Sequence, residues 1–215
     1  MAEPSLSASP SWPGRRRNAA KHAAIIAAAR ELFFARGYAS VTMDAVAAAA
    51  RVSKMTVYGH FGDKETLFAA VVQDFTHSLL AEIGRAATAV GPLAERLAAV
   101  GRSFLTLICS RQVVAAHRAL VPTLAADPAL ARRFYESGPA RMRAALAEVI
   151  AAAAARGEVC VPDAGAAADD LFSLWCGNLP DRLELGVTDD VRPEEIAAQV
   201  ARTTAVFLRA YAGAR

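Results

Sequence analysis

With 215 residues the chain has room for two modest cores, and although 54% of it is hydrophobic it contains no unbroken apolar run of about 18 residues, which argues against a membrane-spanning helix. Its polar N-terminus ends in a basic cluster, Arg15–Arg17, and lacks an apolar core, so a secretory signal is not expected and a cytoplasmic location is. The net charge of +3 is unevenly placed: residues 1–61 carry eight basic and three acidic side chains, an excess of +5, against 16 basic and 18 acidic in the remainder, an excess of −2, as expected if only the N-terminal end meets a polyanion.

Alanine dominates among other good helix formers, and no stretch alternates with a period of two, so the chain reads as all-α, with about nine helices. Residues 1–14 hold three prolines and several serines, the composition of a disordered tail. A first helix is predicted over 16–36, with Ile25, Ala28, Ala29, Leu32 and Phe33 on one face and Gly37 ending it. Thr42 caps a short helix at 43–50 and Ser53 another at 54–60. Asp63 caps a long helix at 64–87, whose Phe68, Val71, Val72, Phe75 and Leu79 keep the helical period. Beyond Gly91-Pro92, helices are predicted at 93–109, 112–121, 128–156 (kinked at Gly138-Pro139), 164–178 and 193–212. The units expected are the tail at 1–14, a three-helix N-terminal domain at 15–65 and a helical C-terminal domain at 66–215.

Chemistry concentrates between Thr42 and Phe68. Two short capped helices meet at the turn Arg51-Val52-Ser53, a unit able to present its second helix to a major groove. Ala47 permits a close crossing, and Val46, Val52 and Val57 form the seam. With Val52 and Val57 inward, Lys54, Met55, Thr56, Tyr58 and His60 lie on the outer face. One cation, two hydroxyls, an imidazole and a thioether within seven residues are groups that contact phosphates and base edges. Alternatives stay open for several. His60 is either a phosphate ligand or a satisfied interfacial histidine, and Lys64 is either a contact or a solvated first-turn residue. Arg15–Arg17 is either a minor-groove arm or a non-specific tether.

The segment resembles the DNA-binding signature of the TetR family, with Thr42, Val46-Ala47, Val52-Ser53, Tyr58, His60-Phe61, Lys64-Glu65 and Leu67 in register. The resemblance covers roughly residues 20–68. It implies double-stranded operator DNA as a partner, touched by Thr42, Lys54, Met55, Thr56, Tyr58, His60 and Lys64. One position departs from the pattern: Arg51 stands where the family commonly has glycine. Either the turn is adjusted, or Arg51 tolerates positive φ at a cost of about 1 kcal/mol and adds a phosphate contact.

Residues 117–159 and AADDLFSLWCGN at 167–178 resemble one C-terminal subgroup of these regulators. That resemblance implies a homodimer with a small-molecule effector, apolar in character. The last two long helices supply the expected dimer face: Ala168, Leu171 and Trp175 with Ile196, Val200, Thr204, Phe207 and Tyr211, the Thr204 hydroxyl bonding back to the carbonyl four residues earlier. The expected effector pocket comprises Phe104, Ile108, His117, Leu120, Phe134, Met142, Phe172 and Trp175, with His117 as polar anchor. The function implied is a repressor released from a palindromic operator. The competing reading is a helical scaffold or adaptor, which leaves the Thr42–Lys64 cluster unexplained. No nucleophile triad, phosphate loop or metal-ligand spacing occurs, so neither catalysis, nor a cofactor, nor a metal is expected. Cys109, Cys160 and Cys176 read as reduced thiols acting as small hydrophobes.

Overall fold

A computed structural model describes residues 13–212, and side chains from Arg17 onward within that range. The disordered tail expected at 1–14 lies outside these residues, except that Pro13 and Gly14 open the first helix.

Among the described residues the fold is eleven helices. They are α1 (Pro13–Ser40), α2 (Met43–Ala49), α3 (Lys54–Phe61), α4 (Lys64–Thr88), α5 (Leu93–Ile108), α6 (Arg111–Ala126), α7 (Pro128–Ser137), α8 (Pro139–Ala155), α9 (Ala164–Cys176), α10 (Leu179–Glu184) and α11 (Pro193–Ala210). None of them is by itself long and apolar enough to cross a membrane.

Local chemistry starts and stops them. The Thr42, Ser53 and Asp63 side chains accept the backbone N–H groups of Ala45, Thr56 and Thr66, opening α2, α3 and α4. Gly37 interrupts regular dihedrals near the end of α1, with φ 72° and ψ 159°, a region open essentially to glycine. The helix expected at 128–156 is two helices. Gly138 leaves helical geometry (φ −132°, ψ −76°), and Pro139 has no N–H with which to continue. Glycine is needed there for space, since a Cβ would stand 2.8 Å from Val72 Cγ1 on α4. Helix α6 runs on through Pro122 to Ala126, past the predicted end at 121. Helix α10, in a predicted loop, has too few residues to show a period and is held by buried Leu179 and Leu183.

Two cores result. The first joins Ile25, Ala29, Phe33, Tyr38, Val46, Val57, Phe61, Leu67 and Val71, and extends to Leu120 of α6 and Leu130 of α7. The second gathers α5, α8, α9 and α11 around Leu97, Leu146, Leu171, Trp175 and Phe207, each fully enclosed. Burying one such side chain stabilises by about 1.5–3 kcal/mol. Helix α4 runs through both. Leu67, Phe68 and Val71 serve the first core, Leu79, Ile83 and Ala86 the second, over 25 residues or about 37 Å.

The end of α4 is clamped by a buried cation. Arg96 Nη1 donates to Ala86 O at 3.0 Å, Nε donates to Gly91 O at 3.2 Å, and Nη2 pairs with Glu158. An arginine inside an amphipathic pattern gives no sequence sign of such burial.

Candidate nucleic-acid interface and interdomain cavity

The turn between α2 and α3 is closed by Val52 N–H donating to Ala47 O at 3.0 Å and Arg51 N–H donating to Ala48 O at 3.2 Å. This double closure needs a left-handed residue, and Arg51 supplies it with φ 54°, alone among the described non-glycine residues. Of the two alternatives for Arg51, the strained backbone is the one present, and the guanidinium is exposed.

Helix α3 buries Val57 and Phe61 and turns the rest outward. Met55 is 79% exposed and Tyr58 41%. Thr56 is half-buried, its hydroxyl 2.8 Å from that of Ser53. Lys54 lies beside Asp44 of α2, Nζ to Oδ1 2.9 Å, and 5.8 Å from the Tyr58 ring centroid. The Asp44 hydrogen bond raises the Lys54 pKa. Asp44, ten residues away, gave no sign of this in the sequence. His60 stands beside His22 of α1, ring centroids 5.5 Å apart, and His22 stacks on Phe61 at 4.8 Å. That neighbourhood fits the interfacial reading of His60 and leaves its outer edge half-exposed.

Lys64 is placed differently from the rest. It occupies the first turn of α4, where the helix dipole disfavours a cation. Its Nζ lies 4.2 Å from the Tyr38 ring centroid and donates to Ala39 O at 3.3 Å. Partial burial lowers its pKa. The Tyr38 phenol is moved the other way, raised by burial and by the carboxylate of Glu65.

A cavity of about 530 Å³ lies between the two cores. Phe104, Ile108, His117, Leu120, Phe134 and Met142 line it, six of the eight residues nominated from sequence. Phe172 and Trp175 lie behind that wall, Phe172 edge-on to Phe104 at 4.7 Å and Trp175 fully enclosed. The opposite wall comes from α1 and α4: Phe33, Phe34, Gly37, Tyr38, Phe68 and Phe75. Sequence reasoning missed these: a domain line at residue 65 leaves out the α1 residues, and Phe68 and Phe75 were read only as part of the apolar face of α4. The polar end carries His117, whose Nδ1 lies 3.0 Å from Glu184 Oε1, with Arg143, Tyr135 and Asp181 nearby on the same wall.

The residues expected at a dimer face point inward. Ala168, Leu171, Trp175, Ile196, Val200, Thr204 and Phe207 are buried within the protomer, where α5 covers them. Gly101 of α5 permits this, since a Cβ there would stand 2.7 Å from the Trp175 indole. Thr204 accepts a hydrogen bond from Trp175 Nε1 at 3.0 Å rather than bonding back along its helix; Thr203 does that instead, to Gln199 O at 2.7 Å. Tyr211 is half-buried and donates to Asp170 Oδ2 at 2.7 Å. The outward faces of α9 and α11 carry Asp169, Asp170 and Ser173, and Ala198, Ala201, Arg202 and Ala205; of these, Asp170, Ser173 and Arg202 line an open groove. Of the thiols, Cys109 is buried, Cys176 half-buried on the cavity wall, and Cys160 exposed, contrary to its expected role as a small hydrophobe.

Comparison with known proteins bears on both halves. Residues 25–71 match the family described as bacterial regulatory proteins, tetR family, and residues 95–213 match the AefR-like transcriptional repressor, C-terminal domain. A solved putative TetR-family regulator from Mesorhizobium loti superposes with a TM-score of 0.78 at 27% identity, over 92% of this chain and 99% of that one. The flavonoid-responsive regulator FrrA gives 0.73 at 32% identity, over 91% and 98%. Among curated relatives, the transcriptional activator FasR of Mycolicibacterium smegmatis is 34% identical over 84 residues, 39% of this chain. The uncharacterised regulator YdeS of Bacillus subtilis is 41% identical over 61 residues, 28% of this chain. These two alignments span 38% and 29% of those relatives' own lengths.

Proposed function

The chain belongs to the TetR family and is a DNA-binding transcriptional regulator, and from that premise we propose a homodimeric repressor, released from a palindromic operator when an aromatic effector enters the interdomain cavity. The observation that carries this reading is the cavity itself, of about 530 Å³, lined by several aromatic rings and bounded on one side by α1 and α4. Its size falls in the range of small-molecule sites. The match of the C-terminal half to a repressor domain favours repression over the activation named for FasR, whose alignment spans 38% of its length.

The DNA-binding unit is residues 15–65, with the first turns of α4 shared with the C-terminal unit, 66–215. Met55, Thr56 and Tyr58 meet base edges and the adjoining backbone. Thr42, Arg51, Lys54, His60 and Lys64 meet phosphates, Lys54 with its charge partly offset by Asp44. Two recognition helices must fall about 34–36 Å apart to enter successive major grooves. The dimer that spaces them uses the outward faces of α9 and α11, where Ala198, Ala201 and Ala205 permit close helix approach. Phe104, Ile108, His117, Leu120, Phe134 and Met142, with Tyr38, Phe68 and Phe75 opposite, enclose the effector. FrrA is named flavonoid-responsive, so flat polyphenols are the first compounds to try.

The test is fluorescence anisotropy on duplexes tiling the DNA upstream of the protein's own gene, comparing wild type with Tyr58→Ala at two salt concentrations. One duplex should bind two protomers at nanomolar concentration, lose at least about 1 kcal/mol on substitution, and be released by a polyphenol. Weak, equal binding of every duplex by both proteins would overturn the operator reading there.

A further inference from the structure

We infer that an occupant of the cavity weakens DNA binding through Tyr38, whose ring is a wall of the cavity on one side and the platform for Lys64 on the other. The inference rests on reading the cavity as the effector site and adds how occupancy reaches the DNA face.

Three consecutive residues make the connection. Gly37 and Tyr38 line the cavity. The Tyr38 ring carries the Lys64 ammonium at 4.2 Å, and the carbonyl of Ala39 accepts its hydrogen bond at 3.3 Å. Lys64 therefore takes its position from the segment that closes the cavity, not from its own helix, whose dipole repels it. The segment is set off from the body of α1 at Gly37, which departs from helical dihedrals with φ 72° and ψ 159°. The ring is also seated against Phe33 at 5.6 Å and Phe68 at 5.0 Å, both lining the same cavity. A ligand pressing on this aromatic wall displaces Tyr38, and with it both groups that hold Lys64. A phosphate contact is then lost without any tilt of α4. Transmission by α4 as a lever would instead weaken all contacts of α3 together.

A built-in occupant separates these routes without an identified ligand. Ala116→Trp places an indole into the cavity from the α6 wall, and Val113→Phe fills it from one turn earlier, guarding against a single badly packed variant. Operator affinity of the full-length protein is measured over a salt series for wild type, each filling variant, Lys64→Gln and the combinations, with circular dichroism and thermal melts confirming the fold. Filling should weaken binding about tenfold in the wild-type background and reduce the salt slope by about two per dimer, one phosphate contact per protomer. In the Lys64→Gln background the same filling should weaken it no more than about twofold. Equal weakening in both backgrounds with an unchanged salt slope overturns the Tyr38 route while leaving the cavity as effector site. Full affinity in folded variants with the cavity filled overturns the effector reading itself, and the route with it.

Discussion

Arg51 holds a left-handed backbone, φ 54°, in the turn that aims the recognition helix. Glycine accepts that conformation without the clash between Cβ and carbonyl, so Arg51→Gly should raise the unfolding free energy by about 1 kcal/mol in urea titrations. Operator affinity of the same variant reports on the guanidinium: a drop with a shallower salt dependence means that it touches phosphate, and no change means that it does not. Asp44 lies 2.9 Å from Lys54 and competes with DNA for its charge. Asp44→Asn should therefore raise operator affinity several-fold at low salt and steepen the salt dependence, read by anisotropy. Identical curves would show that Lys54 does not reach the duplex. The caps Thr42, Ser53 and Asp63 were legible because a side chain and the N–H three residues on are local chemistry. The Lys54–Asp44 and Lys64–Tyr38 pairs were not, because each depends on how two helices cross.

Among the elements, long amphipathic helices were legible and their interruptions only partly so. Gly138-Pro139 announced a disturbance, but whether it bends one helix or divides two depends on Val72 of α4, which leaves no space for a Cβ. Pro122 invited an early end to α6, yet packing of Leu120 and Leu124 against the first core carries the helix past it. Arg96 marks the limit of pattern reading: its position looks solvated, but it is buried and closes the end of α4. Arg96→Met keeps the stem and removes the charge, leaving the carbonyls of Ala86 and Gly91 without their donor and Glu158 with Arg156 alone. A loss of about 3 kcal/mol is expected in thermal or urea unfolding, well above that of an exposed arginine.

For the molecule as a whole, the all-α architecture and the function followed from composition and from one well-spaced motif, whereas the assembly face did not. Helical periodicity gave the apolar stripe of α9 and α11 correctly but not which way it turned, and α5 occupies it within the protomer. The outward alanines make the distinction testable. Ala201→Glu, exposed on α11, should monomerise the protein in sedimentation experiments and abolish high-affinity operator binding while helicity and melting stay near wild type. Trp175→Ala, by contrast, should cost about 3–5 kcal/mol of stability in the protomer itself. The interdomain cavity was half legible for a related reason: α6 and α8 show their apolar lining residues in the C-terminal half, but nothing local tells that α1 and α4 complete the wall. That shared wall has a consequence for how such a regulator diversifies. Phe33, Tyr38 and Phe68 belong at once to the cavity and to the core of the reading head, so altering them for a new ligand is expected to perturb folding and operator recognition together. Val113 and Ala116 on the α6 side lie outside that core, and new ligand preferences are expected to be acquired there first, in natural lineages and in laboratory selections alike.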